Sequence, residues 1–197
     1  MTKEYIESYD FEKPLFLKSS FHRPHSPYDP PQRLIDQINP DLMQDVVYGN
    51  DWDDKFRNAS DCVGQKGTND TWCGEFNEED VTTSRRYYHA NINFVDEQIG
   101  VILQSLEDRG VMDNTIFLFT SDHGDMQSDH YLWRKSLPYE GSTHVPMIIS
   151  WPESLEEKFN ISLARGSKSD KIVELRDIFP TFLEIAQGDR SKYDLDG

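Results

Sequence analysis

The chain has 197 residues, of which 36 are acidic and 20 are basic, so its formal net charge is −16. This length predicts one domain or a piece of a larger one. The negative charge excludes broad binding to nucleic acid phosphates, which needs a basic face, and no apolar run approaches the roughly 20 residues that span a bilayer. Aromatic residues make up 12% of the chain, which argues against simple disorder.

The cellular compartment stays open at this level. The first residues are polar and acidic, a pattern that predicts no signal peptide there. Cys62 and Cys73 are the two cysteines, and they match no CxxC pattern. Two ordinary thiols and one disulfide are both compatible with the sequence, and two cysteines are too few for a disulfide scaffold.

The first predicted element is a short apolar strand over residues 15–21. Residues 21–31 then hold four prolines, which excludes a helix or a central strand there and predicts a rigid loop. Because prolines fix the backbone, a side chain in this loop loses little further entropy on binding. A histidine there can bind an anion or move a proton. His25 is the candidate, whereas a loop residue without a role is the better reading of His22.

The middle of the chain predicts a surface segment and then a long helix. Residues 40–80 are polar, with scattered Asn, Asp and Gly, and they predict a surface excursion with at most short helices. From Thr82 or Thr83 to about Asp108, apolar residues recur at helical spacing and predict one buried stripe. Gly110 is a normal C-terminal stop for this helix.

Two strands and one more helix are predicted after it. Residues 115–120 form a near-continuous apolar run, as expected for a strand covered on both faces, and residues 146–150 form a second candidate strand. Residues 173–186 predict a helix that Pro180 starts or interrupts. Its predicted buried stripe consists of Phe179, Phe182, Leu183 and Ala186. The succession of helix, short turn and buried strand indicates an α/β fold.

The strand over residues 115–120 ends abruptly in carboxylates and imidazoles. In open α/β sheets, ligands bind beyond the carboxyl ends of strands, and Asp122 and His123 lie at such a position. Gly124 lets the backbone turn tightly next to a ligand. A carboxylate and an imidazole together can hold a divalent cation. A polar loop with solvated acids is the alternative interpretation.

Arg134 and Lys135 are basic residues in an acidic chain, and they follow the candidate metal site closely. A cation beside a metal suits an anionic substrate, because it stabilises charge that develops on oxygen. Taken alone, a lysine is far more often a solvated surface residue.

Several motifs resemble those of type I sulfatases of the alkaline phosphatase superfamily, and they occur in the same order along the chain. Their pattern is most similar to that of bacterial arylsulfatase-like enzymes. The motifs are Pro24-His25-Ser26-Pro27-Tyr28, Val95-Asp96-Glu97-Gln98-Ile99-Gly100, Thr120-Ser121-Asp122-His123-Gly124-Asp125, Lys135 with Pro138-Tyr139-Glu140-Gly141-Ser142, Val145-Pro146, and Asp177-Ile178-Phe179-Pro180-Thr181. The resemblance implies an α/β fold: a partial alkaline-phosphatase-like (sulfatase) domain with a mixed sheet flanked by helices.

The resemblance also implies roles for individual residues. Asp122 and His123 match the late pair of metal ligands, and the implied ion is Ca²⁺, with Mg²⁺ or Mn²⁺ as alternatives. Lys135 and His25 match the sulfate-contacting lysine and histidine, so they are the implied catalytic and substrate-binding residues. His130 stands near a family Gly-Asp-His element, and it is a candidate substrate-binding residue without a firm role. The implied substrate is a sulfated small molecule or glycan.

The chain departs from the family pattern in three features. Neither cysteine and no serine fits the Cys/Ser-x-Pro/Ala-x-Arg motif that supplies a formylglycine nucleophile, and the early Asp-Asp metal pair and a Lys-x-x-His stretch are absent. Residues 1–197 therefore resemble part of a sulfatase catalytic domain, without its nucleophile-bearing N-terminal part and its C-terminal subdomain. We expect a sulfuric ester hydrolase by family, and no turnover by this chain alone.

Two other functions stay open. Phosphonate monoester and phosphodiester hydrolases of the same superfamily share the Asp-His-Gly element, so the ester could be a different one. A truncated, non-catalytic chain that binds an anion is the other alternative. The resemblance implies a periplasmic or secreted location for full-length members, and the sequence itself leaves the location unknown.

Overall fold

In the computed structural model, the chain consists of two units, Met1–Ser154 and Leu155–Gly197. The residues that the structure describes are 1–49, 54–57, 72–135, 137–159 and 165–195. Cys62 and parts of the predicted surface excursion over residues 40–80 lie outside them.

Among these residues the structure contains seven α-helices and two β-strands. The helices are α1 (Thr2–Ser8), α2 (Gln32–Ile35), α3 (Asp54–Arg57), α4 (Glu78–Asp108), α5 (Glu140–Thr143), α6 (Ser154–Phe159) and α7 (Ile178–Ile185). The strands are β1 (Phe117–Thr120) and β2 (Met147–Ser150). Within the described part of the chain, no helix is both long enough and apolar enough to span a membrane.

The long helix α4 begins four residues before the earliest predicted start. Asn77 caps it, because its side-chain oxygen accepts a hydrogen bond from the backbone N–H of Asp80 at 2.8 Å. Three acidic residues in the first turn suit the positive end of the helix dipole. At the other end Gly110 adopts a left-handed φ of 65°, so the predicted stop is confirmed.

Helix α2 packs on α4 and fixes the end of the proline-rich loop. Leu34 and Ile35 bury their side chains against Ala90, which is fully buried on α4. Arg33 forms two hydrogen bonds of 2.5 and 2.6 Å with the carboxylate of Glu97. Both side chains are half exposed, so the ion pair contributes little to stability beside the apolar contact.

The sheet is a single antiparallel pair within the described residues. Phe117 pairs with Ser150, and Thr120 pairs with Met147. All four residues of β1 are only half buried, and Ile148 on β2 is 59% exposed. The prediction that β1 is covered on both faces is therefore wrong for the described part of this chain, because all four of its residues keep partial solvent exposure.

The strand predicted over residues 15–21 is absent from the structure, which describes that whole range. The segment lacks ladder hydrogen bonds, and the Phe16 side chain is 74% exposed. The apolar composition that suggested a strand is real, but a strand also needs a paired neighbour to satisfy its backbone groups.

A second apolar cluster lies beneath the loops that follow β1. Its buried members are Phe56, Cys73, Met126, Tyr131 and Leu132. Cys73 is fully buried and disulfide-bonded, and its backbone pairs with Leu132 in a single antiparallel bridge. Residues 126–133 are therefore anchored by the buried side chains of Met126, Tyr131 and Leu132.

In the second unit, helix α7 is shorter than the predicted helix over residues 173–186. A 3₁₀ turn, Leu175–Asp177, precedes it, and Pro180 lies in its first turn, where a proline is tolerated. The predicted buried stripe is wrong at Phe179, whose side chain is 52% exposed, whereas Pro180 is buried.

Candidate functional site

The proline-rich loop holds His25 in one orientation. The peptide bonds before Pro24 and Pro27 are both cis. The His25 ring is half buried, and its Nδ1 lies 2.9 Å from the backbone carbonyl oxygen of Ser26. A carbonyl only accepts, so Nδ1 carries the proton and Nε2 keeps its lone pair as an acceptor.

The end of β1 brings Asp122 and His123 to the same region. His123 Nδ1 donates to the carbonyl oxygen of Gly124 at 2.7 Å, which leaves the lone pair of Nε2 available. His123 Nε2 lies 4.0 Å from the Oδ2 atom of Asp122. The Asp122 side chain is 89% exposed and that of His123 is 27% exposed, so both donors are accessible to a ligand.

Lys135 completes this group, although it lies 110 residues from His25. Its ammonium Nζ lies 3.0 Å from His25 Nε2, which accepts the hydrogen bond. The His25 ring also meets His123 edge to face at 5.8 Å and His22 at 5.3 Å between ring centroids. The structure thus gathers basic side chains at one place in a chain of net charge −16, which favours a small anion there.

The turn between the metal candidates and Lys135 has a strained backbone. Five residues other than glycine adopt positive φ angles there: Gln127, Ser128, His130, Tyr131 and Arg134. Each such residue costs about 1 kcal/mol or more. The turn is held closed by backbone hydrogen bonds of 2.8 Å from Met126 to Arg134 and from Ser128 to Leu132. Strain of this kind clusters at functional sites.

Asp125 joins the two ends of this turn to the proline-rich loop. Its Oδ1 accepts hydrogen bonds from the backbone N–H groups of Gln127 at 3.1 Å and Arg134 at 2.9 Å. Its Oδ2 accepts the hydroxyl of Tyr28 at 3.1 Å, and the side chain of Gln127 donates to that hydroxyl oxygen at 2.8 Å. The ring of Tyr88 on α4 packs edge-on against Tyr28.

Burial and the nearby negative charge of Asp125 disfavour ionisation of these tyrosines. Burial is the larger cause of a pKa of Tyr28 well above its ordinary value, and the Asp125 charge adds to it. The same two causes, in the same order, raise the pKa of Tyr88 to about 12.

We therefore expect the Tyr88 phenol to ionise near its pKa of about 12, whereas an ordinary tyrosine ionises near pH 10. Because the raised pKa favours the protonated native state, this stabilisation is complete below about pH 10 and is lost as the pH rises toward about 12. Ultraviolet difference titration of the chain and of Tyr88→Phe measures this. We expect Tyr88→Phe to remove an absorbance change near pH 12. Loss of an absorbance change near pH 10 would contradict the burial of the Tyr88 hydroxyl.

Gly124 and Gly141 let two backbones meet at the site. The N–H of Gly124 donates to the carbonyl oxygen of Ser142 at 2.8 Å. A Cβ on Gly124 would lie 2.1 Å from the carbonyl oxygen of Gly141, which is inside any real contact distance. The close approach of the two backbones therefore requires glycine at position 124, which lies between the candidate ligand His123 and Asp125.

In the structure, His130 contacts Val47 and Tyr139. Its backbone N–H donates to the carbonyl oxygen of Val47 at 2.8 Å, and its ring stacks on Tyr139 with centroids 4.8 Å apart. The group that the structure brings together is therefore His25, Asp122, His123 and Lys135.

Sequence reasoning missed Tyr28 and Asp125. Both stand inside the motifs that drew attention to their neighbours, since Tyr28 follows Pro27 and Asp125 follows Gly124. Their hydrogen bond joins positions 97 residues apart, so only a tertiary structure pairs them.

The chemistry of Asp122 and His123 fits a divalent cation. Ligands bind metals at about 2.0–2.6 Å, so two donors 4.0 Å apart can share one ion. Metal-bound histidines commonly donate their other ring N–H to a backbone carbonyl, as His123 does to Gly124. In the described ranges no group of three or more His, Cys, Asp or Glu side chains could hold an ion, so this pair is part of a ligand set at most.

Comparison with known proteins gives one consistent family. The sulfatase family model matches residues 1–188. An arylsulfatase of Clostridium perfringens is 38% identical over 186 residues, which cover 93% of this chain and 36% of that protein. Human iduronate 2-sulfatase is 30% identical over 201 aligned positions, which cover 88% of this chain and 36% of the relative. The chain therefore spans little more than a third of the length of these relatives.

A solved structure shares the fold of this chain. The crystal structure of the phosphonate monoester hydrolase of Agrobacterium radiobacter superposes with a TM-score of 0.76 at 26% identity. The match covers 94% of this chain and 37% of the hydrolase. The predicted fold class, a partial α/β domain of the alkaline-phosphatase-like type, is confirmed.

Proposed function

The chain belongs to the sulfatase family, and on that premise we propose that it supplies the anion-binding half of an active site that hydrolyses sulfate esters. The observation that carries this proposal is the 3.0 Å contact between Lys135 Nζ and His25 Nε2, beside Asp122 and His123. The net reaction takes a sulfate monoester and water to an alcohol and hydrogen sulfate.

Lys135 binds and stabilises the ester anion. An ammonium has three N–H donors, and one of them is directed at His25 Nε2. The other two are available to sulfate oxygens. Because negative charge develops on oxygen during S–O cleavage, a fixed cation there lowers the barrier more than it tightens ground-state binding.

His25 controls a proton at a single atom. Its Nδ1–H is committed to the Ser26 carbonyl, so the ring gains and loses a proton only at Nε2. When Nε2 takes up a proton from water, it no longer accepts from Lys135. Nε2–H then donates to an ester oxygen and can pass that proton to the leaving alcohol oxygen, and the water consumed in the net reaction replaces it. Transfer leaves His25 neutral and ready to accept from Lys135 again.

Asp122 and His123 would hold the divalent cation. When bound, such an ion stabilises charge on the sulfate oxygens and activates the attacking group. Ca²⁺ is the ion that the family resemblance implies, with Mg²⁺ or Mn²⁺ as alternatives, and the carboxylate of Asp122 suits all three. Metal analysis of purified protein decides between them.

The substrate class is a sulfated small molecule or glycan. The names of two relatives, arylsulfatase and iduronate 2-sulfatase, support this. A phosphonate or phosphate ester is the second candidate, which the likeness to a phosphonate monoester hydrolase supports. Both ester classes present an anionic tetrahedral centre to Lys135 and His25.

A chimera tests the function directly. The chain replaces the matching stretch of the Clostridium perfringens arylsulfatase, with which it shares 38% identity over 186 residues, and the relative supplies the nucleophile. We expect the chimera to hydrolyse 4-nitrophenyl sulfate and to lose that activity on dialysis against EDTA. A folded chimera that hydrolyses only a phosphonate monoester would favour the second candidate, and one that hydrolyses neither would overturn the proposed function.

A further inference from the structure

Besides the His25 ring, the carboxylate of Asp125 is a point at which three site-bearing segments meet. It lies two residues after His123, and its Oδ1 accepts the backbone N–H of Arg134, the residue before Lys135. Its Oδ2 accepts the hydroxyl of Tyr28, three residues after His25. A single side chain therefore ties the loop of His123 to the segments that carry Lys135 and His25.

The Tyr28 hydroxyl both donates and accepts a hydrogen bond in this arrangement. It donates to Asp125 at 3.1 Å and accepts from the Gln127 side-chain amide at 2.8 Å. The Tyr28 ring is half buried and lies against the edge of Tyr88, which comes from the helix α4. Hydrogen bonds to a charged acceptor are roughly twice as strong as neutral ones, and they are directional, so this contact fixes where the proline-rich loop lies.

Lys135 needs a contact that fixes the position of its backbone. Lys135 is exposed and lies just after the strained turn that ends at Arg134. Its flexible side chain would adopt many rotamers without a defined backbone position. Misplacement of a binding group by about 1 Å can cost a factor of about 100 in rate.

We infer that Tyr28 and Asp125 are positioning residues, which hold His25 and Lys135 in contact with each other and His25 beside His123 through the hydrogen bond between the Tyr28 hydroxyl and the Asp125 carboxylate. This inference rests on the proposed roles of His25 and Lys135, and it deepens them. Neither Tyr28 nor Asp125 needs to touch the substrate, because each acts through the segment that it fixes.

Nuclear magnetic resonance of the whole chain tests the inference through Tyr28→Phe, which removes one hydroxyl and keeps the ring. We expect the nuclear Overhauser contact between the His25 and His123 rings to be lost. The ¹⁵N resonance of His25 Nε2 is expected to shift toward that of a histidine without a lysine partner. Tyr88→Phe is the matched control, since it removes a neighbouring buried hydroxyl outside the Asp125 hydrogen bonds, and it should leave both signals unchanged.

Asp125→Asn provides a second variant, because its amide nitrogen cannot accept the Tyr28 hydroxyl at the Oδ2 position, and the same two losses are expected. In the unsubstituted chain the Tyr28 hydroxyl proton should exchange slowly with water. Retention of the His25 signals in folded Tyr28→Phe, or a rapidly exchanging hydroxyl in the unsubstituted chain, would overturn the inference. None of these signals depends on turnover, so an inactive chimera would bear on the proposed function alone.

Discussion

Replacement of Lys135 by alanine in the arylsulfatase chimera is expected to lower kcat for sulfate ester hydrolysis by about 100- to 1,000-fold, the usual loss for one donor that stabilises a developing oxyanion. The side chain is exposed and its ammonium contacts His25. Its removal therefore takes away charge stabilisation and leaves the fold intact. Steady-state kinetics with 4-nitrophenyl sulfate measure the effect.

Lys3→Ala is the matched control, because Lys3 is also exposed, lies in the same unit, and its ammonium contacts Glu7 at 3.5 Å instead of a site residue. It removes the same charge from the chain, so a general electrostatic effect on substrate attraction would appear in both variants. We expect kcat in Lys3→Ala to stay within about twofold of the unsubstituted chimera, since an exposed ion pair such as that of Lys3 with Glu7 contributes little. Equal losses in the two variants would contradict a specific role of Lys135.

Substitution of Gly124 by alanine is expected to destabilise the chain by about 3 kcal/mol, at the upper end of the usual range for overpacking. The added Cβ would lie 2.1 Å from the Gly141 carbonyl oxygen. That atom is backbone, and it cannot rotate away as a flexible side chain would. The segment after β1 must therefore shift, which also weakens the 2.8 Å hydrogen bond from Gly124 to Ser142. Urea denaturation followed by circular dichroism gives the free energy of unfolding.

Gly100→Ala supplies the comparison for the same chemical change. Gly100 lies within α4, and no atom lies within 4 Å of a Cβ built there. Alanine is about 0.5–1 kcal/mol better than glycine in a helix interior, so this variant should be slightly more stable than the unsubstituted chain. A Gly124→Ala variant that matches it in stability would show that the two backbones do not approach as described.

The sequence could predict the parts of this fold whose signals are local. Helix α4 follows from helical spacing of apolar residues, and Gly110 marks its end. The strands β1 and β2 follow from short apolar runs, and the loop after β1 carries Asp122 and His123 as expected. These features depend on residues within a few positions of one another.

The sequence could not predict features that depend on distant partners. Residues 15–21 have the composition of a strand, but a strand exists only where a neighbour pairs with it. The contacts of Lys135 with His25 and of Asp125 with Tyr28 join positions 110 and 97 residues apart. The positive φ angles of residues such as Gln127 and Arg134 have no glycine signal to reveal them.

If His25 and Lys135 together form a sulfate-binding site, a sulfate titration of the ¹⁵N-labelled chain reveals it most directly. Sodium sulfate replaces sodium chloride at constant ionic strength, so that screening stays fixed. We predict saturable shifts at the His25 ring and the Lys135 side chain, and their loss in Lys135→Ala. Unchanged His25 and Lys135 signals, or saturable shifts confined to other parts of the chain, would contradict the claim.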